Sequence, residues 1–136
     1  MKILCWNCRG LGNPWTVNAL HTWVWRNRPN ILFLMETMLE DKDLNGIKQR
    51  CGFSNGICLS SRGRSGGLGM WWRDTEAEII TYSQNHILIA ILDQNGEREW
   101  LTAGIYGWPN SAEKHKTWRF MTVSYTHLTL PTNREV

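Results

Sequence analysis

The sequence lacks any hydrophobic stretch long enough to cross a membrane. No segment approaches the roughly 20 consecutive apolar residues that a membrane-spanning helix needs. The apolar run that follows Lys2 is also too short for a secretory signal. We therefore expect an intracellular protein with reduced thiols and no membrane partner.

The cysteines are poorly spaced for a metal centre. Of the 4 cysteines, Cys5 and Cys8 form a C-x-x-C pair, but Cys51 and Cys58 lie too far apart to complete a four-cysteine zinc site. If the segment around Cys5 and Cys8 is a strand, these two side chains point to opposite faces, which prevents chelation. The sequence therefore predicts that the cysteines are packing residues.

The composition is that of a globular protein with an excess of tryptophan. The 136 residues are 42% hydrophobic and 20% charged, which fits one domain or part of one. A net charge of +3 permits a polyanionic partner without requiring one. We expect most of the 9 tryptophans to lie in the core, and the alternative is that they stack on nucleic-acid bases.

The first half of the chain alternates strand and helix patterns. Ile3–Cys8 is predicted to be a strand, and a helix is predicted to begin at Asn13 and to stop before Pro29. The continuous apolar run Ile31–Met35 is typical of a strand covered on both faces. A second amphipathic helix is predicted over Asp41–Arg50.

The second half changes to short strands separated by turns. Asp93-Gln94-Asn95-Gly96 is a hairpin signal between two of them, and Ser111–Met121 has an amphipathic helical pattern. Thr122–Val136 has little pattern. The order of elements predicts a mixed α/β sandwich with two β-α units at its start. The predicted strands of this half are Ile57–Leu59, Leu68–Trp72, Ala77–Thr81, Ile87–Leu92 and Trp100–Tyr106.

Two strand-like segments end in polar groups suited to a metal-phosphate site. The first ends at Asn7, and the second delivers Glu36 directly after Met35. Taken singly, an asparagine at a strand end commonly makes a turn, and a glutamate there is commonly a solvated charge. Because parallel strands joined by a helix bring their ends to one edge of a sheet, the pair favours a function. A carboxylate with bound waters is the setting that Mg²⁺ prefers.

Four segments in order resemble a known family. They resemble the endonuclease/exonuclease/phosphatase superfamily, and most closely the apurinic-like endonuclease domain of plant non-LTR (LINE-type) retrotransposons. The resemblance covers roughly residues 1–121 and implies a two-sheet α/β sandwich. The segments are Trp6–Gly10, Leu34–Thr37, the glycine-led strand Ser65–Trp72 and Gly104–Asn110, which contains a Tyr-x-x-Pro motif.

The resemblance also implies roles for particular residues. Glu36 would be the principal ligand of Mg²⁺, or of Mn²⁺ in its place, and Asn7 would lie beside the catalytic water and phosphate. Tyr106 would donate a hydrogen bond to the scissile phosphate. Asn110 and Arg9 would be weaker substrate contacts. The partners would be target DNA and retroelement RNA, and the parent element would act in the nucleus.

The chain also departs from the family pattern. The Gly-Asp-Phe-Asn-type strand and the terminal Asp-His pair, which complete the family's catalytic site, occur nowhere in this sequence. The similarity stops near Met121. We therefore expect residues 1–121 to be the N-terminal part of the domain, with its sandwich incomplete at the C-terminal half, and residues 122–136 to be an unrelated or artefactual tail.

Three functions remain open from the sequence. The first is a fragment of a Mg²⁺-dependent DNA endonuclease of a retrotransposon polyprotein, inactive as it stands. The second is a non-catalytic nucleic-acid-binding remnant that uses the basic surface and the aromatic side chains. The third is a metal-dependent phosphatase of the same fold, because fold alone does not fix the substrate.

Overall fold

The computed structural model describes residues 1–62 and 66–107. The chain divides into two compact units, residues 1–104 and residues 105–136. Of the second unit, only residues 105–107 are described. The predicted helix Ser111–Met121 and the predicted tail Thr122–Val136 lie outside the described residues, so both stay predictions.

The described chain forms a mixed α/β structure with two helices and two sheets, which confirms the predicted class. The two predicted helices and the two predicted strands of the first half are found within a few residues of their expected bounds. In the second half, the strand Leu68–Trp72 has its predicted bounds. The strands predicted to begin at Ile57, Ile87 and Trp100 begin one to two residues earlier. The strand predicted to end at Thr81 ends one residue later, and the strand predicted to end at Tyr106 ends one residue earlier. In chain order the elements are β1 (Ile3–Asn7), α1 (Pro14–Asn27), β2 (Ile31–Met35), α2 (Asp41–Arg50), β3 (Asn55–Leu59), β4 (Leu68–Trp72), β5 (Ala77–Tyr82), β6 (His86–Leu92) and β7 (Arg98–Ile105).

Local sequence signals account for the bounds of α1. The side-chain oxygen of Asn13 accepts a hydrogen bond of 2.9 Å from the backbone N–H of Trp15, and Pro14 occupies the first helical position. The helix ends where Arg28 adopts a left-handed conformation and donates its backbone N–H to the carbonyl of Val24 at 2.7 Å. The buried residues of the helix are Leu20 and Val24.

The first sheet has the strand order β1-β2-β4-β3. β1 and β2 are parallel, as expected of two strands joined by a helix, whereas β4 pairs antiparallel with both β2 and β3. β2 is therefore an interior strand, and Ile31, Leu32, Phe33 and Leu34 are all buried. The prediction of a strand covered on both faces is confirmed.

The two faces of β2 pack against different layers. Leu32 and Leu34 belong to a cluster that includes residues from both helices, so α1 and α2 cover the same face of the sheet. Phe33 points to the opposite face, because successive side chains of a strand alternate. The helical members of the cluster are Leu20, Val24, Leu44 and Ile47.

The second sheet has the order β5-β6-β7 and contacts the first sheet. Gly104 of β7 lies so close to Phe33 that an added Cβ would collide with the phenyl ring. The predicted hairpin joins β6 to β7. In its turn, the Asp93 carboxylate accepts hydrogen bonds from the N–H groups of Asn95 and Glu97 at 2.8 and 2.9 Å.

The expectation that the tryptophans fill the core is only partly right. Trp71 and Trp72 of β4 are buried, and Trp6 packs at the edge of the helix-side cluster. Trp15, Trp23 and Trp25 are exposed on α1, so for these three the expectation is wrong. The reason is positional, because these residues are not on the helix face that carries Leu20 and Val24.

Neither described helix is long and apolar enough to span a membrane, as far as residues 1–62 and 66–107 show.

Candidate metal and phosphate site

The parallel pairing of β1 and β2 brings the two predicted site residues to neighbouring strand ends. Asn7, the last residue of β1, is in register with Met35, the last residue of β2. Glu36 follows directly. Asn7 is exposed and Glu36 is half-buried. The structure thus places an amide and a carboxylate at the carboxyl ends of adjacent parallel strands, which is where open α/β sheets commonly bind ligands.

The backbone of Glu36 is held in a left-handed conformation with φ of 53°. Few residues other than glycine adopt this backbone conformation, which costs about 1–3 kcal/mol of conformational free energy. The Glu36 carbonyl accepts a hydrogen bond of 2.8 Å from the N–H of Gly10, and the N–H of Thr37 donates to the carbonyl of Gly67 at 3.1 Å. Glu36 is therefore fixed from the β1 side and the β4 side at once.

Other residues near the same strand ends share this conformation. Arg9 has φ of 50° and Met38 has φ of 56°. Three of the five non-glycine residues with positive φ in the described chain thus lie within the segments that follow β1 and β2. Backbone strain of this kind concentrates at functional sites, where the surrounding structure over-determines it.

Asn7 makes a local turn. Its side-chain oxygen accepts a hydrogen bond of 3.3 Å from the backbone N–H of Arg9, an Asx turn. The backbone N–H of Cys8 continues the strand pairing by donating to the carbonyl of Met35 at 2.9 Å. The interpretation of Asn7 as a turn residue is thus correct. The turn uses only the amide oxygen of the side chain, whereas an asparagine side chain also has two N–H donors.

Gly67 and Thr37 form a close contact beside Glu36. Gly67 has φ of 93°, and an added Cβ would collide with the Thr37 hydroxyl and crowd the Met38 nitrogen. Thr37 is 0% exposed, and its hydroxyl has no hydrogen-bond partner among the described residues. Sequence reasoning did not single out this contact, although the glycines of the Ser65–Trp72 segment were the available signal.

The Cys8 thiol lies close enough to Glu36 to be affected by its charge. Burial raises the pKa of Cys8 to about 12, and the negative charges of Cys5 and Glu36 add to the increase. A hydrogen bond with the backbone of Met35 lowers the pKa of Cys8 but offsets the increase only in part. Cys8 is therefore a neutral packing residue at neutral pH.

The donor set at this end of the sheet fits Mg²⁺ better than zinc. Glu36 offers a hard carboxylate ligand, and Mg²⁺ commonly binds through one or two carboxylates while it keeps several waters. Within residues 1–62 and 66–107, no group of three or more His, Cys, Asp or Glu side chains is placed to hold a metal ion. A caged zinc or calcium centre is thus not found in the described part.

The remaining predicted site residues are placed less fully. Arg9 is exposed in the turn after β1, next to Asn7. Tyr106 is half-buried and follows the end of β7, in the second unit of the chain. Asn110 lies outside the described residues. The structure therefore places Asn7, Arg9 and Glu36 at or just after the ends of β1 and β2, and the roles of all five predicted residues stay predictions.

Comparison with known proteins identifies no family for this chain. No protein-family model matches the chain, and no curated protein matches it either.

Proposed function

We propose that this chain carries the metal- and phosphate-binding part of a Mg²⁺-dependent DNA endonuclease of the endonuclease/exonuclease/phosphatase type. The observation that carries the proposal is the site at the ends of β1 and β2. There, Asn7 and Glu36 follow adjacent parallel strands, and Glu36 is held in a strained conformation by hydrogen bonds on both sides.

The layer arrangement supports the proposal. Both helices cover one face of the four-stranded sheet, and the second sheet contacts the other face through Phe33 and Gly104. This arrangement is the one expected of a two-sheet α/β sandwich of that type. In such a fold the candidate site lies at one edge of the first sheet, outside the packed core.

The residues of the site divide the chemistry between them. When bound, Mg²⁺ would neutralise charge on the phosphate and on the leaving oxygen. Glu36 would hold the ion through its carboxylate. Asn7 would donate an amide N–H to a phosphate oxygen or to the attacking water, and the exposed Arg9 would contact the DNA backbone. The role of Tyr106, which belongs to the second unit of the chain, stays a prediction from the resemblance.

The chain as it stands is proposed to be inactive, because the sequence lacks the Gly-Asp-Phe-Asn-type strand and the Asp-His pair of the resembling family. Without them, water activation and leaving-group protonation have no assigned residue. We expect the purified chain to leave supercoiled plasmid intact in the presence of Mg²⁺. Efficient nicking that depends on Glu36 would contradict the proposed inactivity.

The experiment that tests the function uses a completed domain, in which residues 1–121 are joined to a segment that supplies the two absent motifs. Plasmid nicking should require Mg²⁺ and should be abolished by Glu36→Ala, with DNA binding retained. Glu40→Ala is the matched control, because Glu40 is an exposed carboxylate four residues away. Hydrolysis of small phosphate esters without nicking would favour a phosphatase instead, and nicking that survives Glu36→Ala would refute the proposal.

A further inference from the structure

Three tryptophans are exposed on one short helix. Trp15 is 81%, Trp23 54% and Trp25 53% exposed. Exposure of a large aromatic side chain forgoes the stabilisation that its burial would give. Several such side chains on one helix form an apolar surface of the kind that marks a binding site.

The exposed tryptophans are spread around the outer side of α1. An α-helix turns by roughly 100° per residue, so Trp23 and Trp25 lie on opposite sides of Trp15, each about 80° from it around the helix axis. Leu20 and Val24 point to the core on the other side of the helix. The helix surface between Trp23 and Trp25 also carries exposed residues that are small, polar or positively charged. These are Ala19, Thr22 and Arg26.

The charge of this surface has one sign. The sequence of α1 contains no aspartate or glutamate, whereas Arg26 lies in its last turn and Arg28 caps it. The Arg28 guanidinium lies over the Trp25 ring, 5.8 Å from its centroid. The Trp25 indole N–H donates a hydrogen bond of 2.7 Å to His21, so this ring is already oriented and loses less entropy on binding.

We infer that the outer face of α1 is a binding site for single-stranded nucleic acid, separate from the Asn7–Glu36 site. Proteins that bind single strands combine aromatic side chains, on which bases stack, with cations that neutralise phosphates. On α1 the aromatic side chains are Trp15, Trp23 and Trp25. The cations are Arg26 and Arg28. The site needs no metal ion and does not rest on the proposed endonuclease function.

The spacing of the rings favours a single strand over a duplex. Trp15 and Trp23 are separated by a rise of about 12 Å along the helix. Stacked nucleotides in one strand of a duplex rise by only about 3.4 Å each, and their faces are covered by neighbouring base pairs. Only a strand whose bases are separated can therefore place bases on both rings.

Two other occupants fit the surface less well. A second copy of the chain paired through the same helix face would place two copies of Arg26 and Arg28 in one interface, with no carboxylate on α1 to compensate. A lipid surface requires a continuous apolar face, but here Thr22 and Arg26 separate the flanking tryptophans.

The test measures binding of the purified chain to a fluorescein-labelled oligothymidylate by fluorescence anisotropy, in buffer with EDTA. Trp15→Ala and Trp23→Ala should each weaken binding by about 5- to 100-fold, as expected for loss of one stacked base. Tyr82→Ala is the matched control, because Tyr82 is about as exposed as Trp23 but lies on β5, and this variant should bind as the wild type does. Circular dichroism checks that each variant is folded.

The salt dependence tests the cations separately. Arg26→Ala should reduce the slope of log K against log salt by about 0.7, the value for one phosphate of a single strand. Arg50→Ala, in the last turn of α2, should leave the slope unchanged. The inference is overturned if the tryptophan variants bind as tightly as the wild type, if duplex competes as well as the single strand, or if the wild type binds only phosphatidylserine vesicles. Because the buffer contains EDTA, this binding needs no metal at Glu36, so failure here and failure of the proposed endonuclease are distinguishable.

Discussion

Single residues with unusual backbone conformations define the candidate site. Glu36 and Met38 both have positive φ, and the residue between them, Thr37, is completely buried against Gly67. A bulkier residue at position 67 would push this segment away from β4. The orientation of the Glu36 carboxylate therefore depends on a glycine 31 positions away in the sequence.

Gly67→Ala should destabilise the protein more than Gly66→Ala. Both glycines have positive φ, so each substitution carries the same kind of conformational strain, but only at Gly67 would the new Cβ collide with the Thr37 hydroxyl. At Gly66 a Cβ meets nothing among the described residues within 4 Å. We expect the difference in the free energy of unfolding, measured in urea, to be about 1–3 kcal/mol. Equal losses for the two variants would mean that the segment after β2 adapts freely.

His86 should make the protein sensitive to mild acid. It is buried, its Nδ1 lies 2.6 Å from the Ser83 hydroxyl, and burial lowers its pKa below the ordinary 6.5. As the pH falls through 6.5, the unfolded chain therefore takes up more protons than the folded chain, so the free energy of unfolding decreases. Urea unfolding at pH 7 and pH 5 should show this decrease in the wild type and a smaller one in His86→Gln. The same decrease in both proteins would assign the acid sensitivity to other groups.

At the level of elements, the helices and the early strands follow from local chemistry. Asn13 and Pro14 specify the start of α1, and the apolar run Ile31–Met35 specifies an interior strand. The pairing of β4 between β2 and β3 was not predictable in this way, because it depends on contacts between distant segments. The exposed tryptophans of α1 were predictable in principle, since their spacing places them off the face of Leu20 and Val24.

A glycine within α2 offers a test of how far local propensity matters. Gly46 lies in the interior of α2, and an added Cβ meets nothing among the described residues within 4 Å. Gly46→Ala should therefore stabilise the protein by about 0.5–1 kcal/mol, because alanine restricts the unfolded chain and favours the helix. Gly52→Ala, at a position after the helix with φ of 85°, should destabilise it instead. Thermal unfolding of both variants measures the two effects, and destabilisation by Gly46→Ala would show that α2 tolerates no added methyl group.

At the scale of the whole molecule, the sequence predicted which strands end near each other but not what holds them there. The polar residues that end the apolar runs, Asn7 and Glu36, indicated a site at one sheet edge, and the parallel register of β1 and β2 brings them to neighbouring strand ends. The left-handed conformation of Glu36, its hydrogen bond with Gly10 and the hydrogen bond of Thr37 with Gly67 could not be predicted. They arise only once β1, β2 and β4 lie side by side. The Asn7–Glu36 site and the exposed face of α1 are proposed to act independently. The first would bind a metal and a phosphate, and the second would bind nucleic-acid bases.

The measurement that tests the central claim most directly is binding of Mn²⁺ to the purified chain, followed by electron paramagnetic resonance with Mg²⁺ as competitor. The wild type should bind Mn²⁺, and Glu36→Gln should lower the affinity by about tenfold or more, a loss of about 1.4 kcal/mol. Glu40→Gln, which changes an exposed carboxylate at the start of α2, should bind as the wild type does. Equal affinity of Glu36→Gln and the wild type would contradict the assignment of Glu36 as the metal ligand.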